Sequence, residues 1–294
     1  MNYPPIPSIP YNPTLSGIAE MLPEIVYSTA NEKPLKLHIL SPWRNKEEEK
    51  EPPKNPLIVF IQGSGWTSPK TYYEIPQLSE YARKGYVVAT VSHRNSTEGH
   101  PFPAFLQDVK TAIRFLRKNA SEYGIDPNRV AAFGTSSGGN TALLLGITGD
   151  DPAFQTAEHA EFSDSVKTVI SCFGPTELLR LVDERIKNNQ GAASNAKNIL
   201  YHLCGGPAEE NTEILRAMSP YWLLEEGKEY PPFFLLHGDA DPGVPYSQSE
   251  IMYQKLLDYK ADAQMLCIEN GPHEGSFWSQ EVHNRVQAFL EKTL

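Results

Sequence analysis

Apolar and polar positions alternate in blocks along most of this chain. Residues 57–61 form a continuous apolar run of strand length. Such a run predicts a strand covered on both faces. Residues 74–84 have a helical pattern and stop at Gly85. A second strand is predicted at 86–91. Residues 105–123 read as a long amphipathic helix, with Val109, Ala112, Ile113, Phe115 and Leu116 on its apolar side and Gly124 as its stop. Further strands are predicted at 129–133, 166–172, 232–237 and 264–268, and helices at 141–147, 247–259 and 276–290. Strand alternating with helix predicts an α/β fold with a mainly parallel central sheet and helices on both faces. In such sheets the active site gathers beyond the carboxyl ends of the strands.

Two regions break the rhythm. Residues 176–231 carry helical pieces at 177–187 and 212–218 and no clear strand. They predict a helical cap inserted over the site. The start of the chain holds Pro4, Pro5, Pro7, Pro10 and Pro13, which excludes a helix and predicts an extended arm. Residues 44–56 are charged and proline-containing and read as a surface connection. The domain reading is therefore an arm and first strands at 1–56, on the same domain as a main body at 57–294. No internal repeat is visible.

Composition narrows the function classes. A chain of 294 residues, 40% hydrophobic, is long enough for one substantial core. Its net charge of −10 opposes binding to nucleic-acid phosphate or anionic membrane. The N-terminus has neither a basic start nor a continuous apolar stretch. It therefore reads as neither signal peptide nor membrane helix, and a cytoplasmic location is the default expectation. The three cysteines, Cys172, Cys204 and Cys267, are widely spaced. They suggest no disulfide framework and no zinc site, and each reads as a small buried or half-buried apolar residue.

The first chemical signal is Gly134-Thr135-Ser136-Ser137-Gly138. It lies directly between a predicted strand and a predicted helix. A serine on such a sharp turn has its hydroxyl lifted clear of the sheet, and glycines leave room for the turn. The glycine spacing puts Ser136, rather than Ser137, at the centre. A serine hydroxyl needs a base. Among eight histidines, His273 lies in the loop after the last predicted strand, on the same rim as Ser136. An imidazole that gains a proton needs an anion to orient it. The loop after 232–237 offers Asp239 and Asp241, and spacing alone does not separate them. Gln62-Gly63-Ser64-Gly65-Trp66 follows the strand at 57–61. Small residues there let backbone N–H groups approach a substrate. The expected oxyanion donors are the N–H of Ser137 with that of Ser64 or Gly65. Trp66, Trp222 and Trp278 are aromatic surfaces on which a sugar or aryl ring could stack, Trp66 being the expected substrate contact.

These residues resemble the α/β-hydrolase superfamily. More narrowly, the chain is similar to carboxylesterases related to hormone-sensitive lipase, especially the bacterial acetyl xylan and feruloyl esterase-like group. The resemblance runs from about Leu57 to the C-terminus. It is carried by Phe102-Pro103-Ala104, Asp108-Val109-Lys110, Ala112-Ile113-Arg114, the turn Tyr123-Gly124-Ile125-Asp126-Pro127-Asn128-Arg129, and Gly134-Thr135-Ser136-Ser137-Gly138. Phe173-Gly174-Pro175-Thr176 and His237-Gly238-Asp239 with Asp241, Val244 and Pro245 complete it. The resemblance implies that Asp241 is the acid that partners His273, in the chain order serine, acid, histidine. It implies ester hydrolysis through an acyl-enzyme, on small acyl esters such as acetyl or feruloyl groups on sugars, without metal or organic cofactor. Two positions depart from the family. Gln62 stands where a histidine usually braces the oxyanion loop, and His93-Arg94 where Tyr-Arg is common. Gln62 is expected to substitute through its amide, and His93 to be structural. The rival readings are a serine peptidase of the prolyl oligopeptidase kind, for which the chain lacks a gating domain, and a non-catalytic binding protein on the same fold. The partner expected is a small ester; oligomeric state is left open.

Overall fold

The computed structural model describes residues 4–29, 33–45, 49–181 and 193–294. Eight strands form one sheet in the order β1-β2-β4-β3-β5-β6-β7-β8. They are β1 (Ala19–Ser28), β2 (Leu35–Pro42), β3 (Asn55–Ile61), β4 (Val87–Val91), β5 (Ile125–Thr135), β6 (Thr168–Cys172), β7 (Phe233–Gly238) and β8 (Ala263–Ile268). From β4 to β8 all pairings are parallel. The first two strands extend the sheet antiparallel at one edge. Residues 4–13 precede them as an arm with Ile6, Ile9 and Tyr11 almost fully exposed.

The helices are α1 (Ile75–Arg83), α2 (Ala104–Lys118), α3 (Ala120–Tyr123), α4 (Ser137–Ile147), α5 (Ala193–Cys204), α6 (Thr212–Ala217), α7 (Pro220–Leu223), α8 (Ser247–Asp258) and α9 (Gln280–Thr293). They explain the uninterrupted apolar strands. On β3, Leu57, Val59 and Ile61 face α2 and α4, in one core cluster. Ile58 and Phe60 face Leu78 and Tyr81 of α1 and Val286 and Leu290 of α9, in the other. Alternate side chains of a strand point to opposite faces, so both sets must be apolar when both faces are covered.

Several boundaries differ from those the pattern predicts. Strand β5 begins at Ile125 rather than 129. Ile125 pairs with Asn55, and a register shift before Leu57 accommodates the Asp126-Pro127-Asn128 turn. The helix expected at 105–123 breaks at Asn119, whose side-chain amide donates to the Phe115 carbonyl (2.8 Å). Helix α9 starts at 280, where the Ser279 hydroxyl accepts from the Val282 N–H. Between β6 and β7 the described residues form helices and turns and no strand. Of the helical piece expected at 177–187, residues 178–181 are helical, and those from 182 lie outside the described residues. Asn140 on α4 anchors this segment, donating to the carbonyls of Pro175 and Met218 (both 3.0 Å).

The charged residues of α2 are structural. Asp108 accepts from the Arg94 N–H (2.7 Å) and guanidinium. Lys110 and Arg114, both 0% exposed, share the buried Asp164 carboxylate at 2.6 and 3.0 Å. Burial lowers the Lys110 ammonium and Asp164 opposes that shift. Asp164→Ala would leave two buried cations facing one another. It is expected to cost about 3–5 kcal/mol, read as a lower urea midpoint with an unchanged slope. A midpoint within error of the parent would contradict this.

All three cysteines are free. Cys172 and Cys204 are buried as expected, but Cys267 is exposed, because β8 is an edge strand. Among the described residues no helix is long and apolar enough to cross a membrane.

Candidate active site

Strand β5 hands over to α4 at Ser136, which has φ 52° and ψ −122°. A non-glycine residue at positive φ is strained and marks a site held by its surroundings. Its N–H donates to the Cys172 carbonyl on β6 (2.9 Å). The flanking glycines are steric necessities. A Cβ on Gly134 would lie 2.0 Å from the Gly138 carbonyl oxygen, and one on Gly138 would lie 2.0 Å from that of Ile61. Helix α4 can therefore begin at Ser137, four residues earlier than its pattern suggests.

His273 comes from the loop after β8. Its Nε2 is 2.9 Å from Ser136 Oγ and its Nδ1 is 2.7 Å from Asp241 Oδ2. A carboxylate only accepts, so Nδ1 carries the proton and Nε2 offers a lone pair to the serine. Phe173, at φ 42° and fully buried, lays its ring 4.6 Å from the imidazole. Of the two acids that spacing left open, Asp241 faces His273. Asp239 instead accepts from the Asn270 N–H (2.6 Å) and braces the histidine loop.

The Asp241 carboxylate is buried. Its Oδ1 accepts from the N–H groups of Gly243 (2.6 Å) and Val244 (2.9 Å). Burial alone would raise this carboxyl. Hydrogen bonds from His237, His273 and Val244 outweigh it and hold the group well below the usual carboxylate range. It is therefore ionised wherever the imidazole works.

The loop after β3 lies against the nucleophile turn. The Gly63 N–H donates to Thr135 Oγ1 and the Ser64 N–H to Ser137 Oγ, both at 2.9 Å. This corrects the choice between Ser64 and Gly65. The Ser64 N–H is already satisfied, whereas among the described residues those of Gly65 and Ser137 have no acceptor. Ser137 also opens α4, where N–H groups lack intrahelical partners. Ile199 of α5 lies over this loop, its Cδ1 3.7 Å from where a Gly65 Cβ would stand.

Trp66 also needs correction. It is only 5% exposed, packed on Phe105 at 6.1 Å, and has no free face for a substrate to stack on. Trp222 is half exposed and donates to Glu177 (3.1 Å), while Trp278 stacks on His283. His93 is buried with Nδ1 2.9 Å from the Arg94 carbonyl oxygen, as a structural histidine would be.

Gln62 holds the loop from behind. Its Oε1 accepts from the Lys70 N–H, and its amide hydrogen-bonds Glu74. Glu74 and Glu274 line a cavity of about 320 Å³ with Tyr81, Phe133, Trp278 and His283. The Glu74 carboxyl is pushed up to about 7 by burial and by Glu274, against the Gln62 hydrogen bond. Its native value lies above the ordinary 4.5, so the folded state holds a proton that the unfolded chain releases. Glu74 therefore costs stability as pH rises from about 4.5 through about 7. Glu74→Gln keeps an acceptor for Gln62 and removes the titration. Its Tm is expected to fall less than the parent's between about pH 5 and about pH 8; equal slopes would contradict the assignment.

Among the described residues no group of three or more His, Cys, Asp and Glu side chains could hold a metal ion.

The family model described as BD-FAE matches residues 44–256. Esterase LipC of Mycobacterium tuberculosis is 29% identical over 74% of this chain and 52% of its own length. The chain spans about half the length of the curated relatives it matches. A truncated carbohydrate esterase from gut microbiota superposes with TM-score 0.75 at 25% identity, over 93% of this chain and 96% of that one. Propionate-bound esterase Est2 of Thermogutta terrifontis gives TM-score 0.73 at 25% identity, over 97% of each chain.

Proposed function

The chain belongs to the BD-FAE family, and from that premise we propose that it is a serine carboxylesterase acting on small acyl esters, acetyl or feruloyl esters of sugars among them. The observation that carries the reading is the continuous hydrogen-bonded line Ser136–His273–Asp241, at 2.9 and 2.7 Å. The esterase names of its relatives support the reaction class. The carbohydrate esterase of gut microbiota supports the sugar-ester alcohol, and the propionate-bound neighbour supports a short acyl group.

In the proposed mechanism Ser136 Oγ attacks the ester carbonyl carbon as His273 Nε2 takes the hydroxyl proton. The N–H groups of Ser137 and Gly65 receive the developing oxyanion. Collapse expels the alcohol oxygen, which takes the proton from His273 and leaves an acyl-Ser136. Water then repeats the sequence, releasing the acid and restoring the hydroxyl. Asp241 holds the imidazole and stabilises its cation throughout. The proposal includes a small ester as the partner and a cytoplasmic setting, which the three free thiols support.

Turnover of p-nitrophenyl acetate, acetylated xylo-oligosaccharide and a methyl ferulate, set against a peptide p-nitroanilide, tests the reading. Ester cleavage without anilide cleavage is expected. Faster cleavage of the anilide would replace it with a peptidase reading.

A further inference from the structure

Asp241 has a second imidazole. His237, at the end of β7, is 0% exposed. Its Nε2 lies 3.2 Å from Asp241 Oδ2 and 3.0 Å from the Val244 carbonyl oxygen, and its Nδ1 2.7 Å from Ser249 Oγ. A carboxylate oxygen and a carbonyl oxygen can only accept, so Nε2 must carry the proton. Nδ1 is then an acceptor, and the Ser249 hydroxyl donates to it. The tautomer is thus set from both sides.

We propose that His237 is a positioning residue of the hydrolytic site: its Nε2–H seats Asp241 Oδ2 against His273, and Ser249 holds His237 in the tautomer that can do so. The inference rests on the serine-esterase reading of this same site. Backbone N–H groups fix Oδ1, but Oδ2 faces two imidazole nitrogens. His273 donates to it from Nδ1 at 2.7 Å and turns over protons in every cycle, while the His237 Nε2–H, bonded to the Val244 carbonyl at 3.0 Å, is shared with it at 3.2 Å. His237 is the donor that stays. It keeps the carboxylate seated whichever protonation state His273 is in, and it withdraws part of the charge that would otherwise go to the His273 imidazolium. The ionisable groups facing this arrangement are His273 and Glu274 on the loop after β8, Tyr246 with its ring 5.6 Å from His237, and Cys267, the register partner of His237. Phe173 closes the remaining side at 6.5 Å.

The consequences separate positioning from bulk. His237→Leu fills the space and removes the donor. Asp241 then moves off its best alignment and, with one donor fewer, holds a proton on His273 more tightly. Turnover of a small aryl ester should show kcat lowered by about 10- to 100-fold with KM little changed, and the acid limb of kcat/KM moved to higher pH. His237→Gln carries an amide N–H about as far along the side chain as Nε2. It is expected to recover most of kcat and return the limb to its parent position. A folded His237→Leu protein with parental kcat and parental acid limb would overturn the proposal. So would His237→Gln falling as far as His237→Leu. Should His237→Leu fail to fold, Ser249→Ala carries the test. A loss of kcat with the same upward shift of the limb supports the proposal, and unchanged values overturn it. Absence of ester turnover in the parent protein would instead remove the esterase reading itself, before any variant is compared.

Discussion

Ser136→Ala is expected to lower kcat for small esters by about 10⁵- to 10⁶-fold while leaving the fold intact. Among the described residues the only side-chain bond of Ser136 is the one to His273. Its backbone N–H, donated to Cys172, survives the change. Alanine occupies the strained turn at φ 52° at the same Cβ cost as serine. What disappears is the oxygen that attacks. Binding, orientation and the N–H groups of Ser137 and Gly65 remain, so a residual rate about 10³- to 10⁴-fold over water is expected rather than none. The check is steady-state turnover beside a thermal melt. A Tm near the parent's with activity lost is the predicted pair. Near-normal turnover would remove Ser136 from its role.

The second largest effect is expected from Asp241→Asn, about 10⁴-fold in kcat. The reason is geometric. The N–H groups of Gly243 and Val244 point at Oδ1, so an asparagine must keep its carbonyl oxygen there. Its NH₂ then faces His273 Nδ1 at the 2.7 Å position and His237 Nε2 at the 3.2 Å position. His273 can accept from that NH₂ only by moving its own proton to Nε2. A protonated Nε2 cannot take the proton of Ser136. The variant should therefore bind ester with nearly parental KM and fail at the chemical step. A loss below about tenfold would contradict the tautomer argument.

Much of this was legible in the sequence, for a physical reason. Strands covered on both faces need apolar side chains at every position, and β3 and β7 announce themselves as runs at 57–61 and 233–236. Of the first two strands, the edge strand β1 has no such requirement. Glu20, Pro23 and Glu24 interrupt the first, and the sequence shows neither its span nor its antiparallel pairing. Helix α4 hides its start behind Gly138-Gly139, poor helix formers that are there because Gly138 lies against Ile61. In the site, Ser136 and His273 stand out by motif and loop position. The choice between Asp239 and Asp241 does not, because two acids on one turn differ only in which way the turn aims them. Trp66 reads as a ring over the substrate, yet it packs against Phe105, a contact made across 39 positions of chain. His237 ends an apolar strand run and looks like core. Its part depends on Ser249 and Asp241, which the fold alone brings to it.

Intact mass after treatment with a fluorophosphonate, in the parent protein and in Ser136→Ala, tests the central claim most directly. The geometry predicts one stoichiometric adduct on the parent protein and none on the variant, since only a serine activated by His273 attacks phosphorus at a useful rate. No adduct on folded parent protein, or an equal adduct on Ser136→Ala, would contradict it.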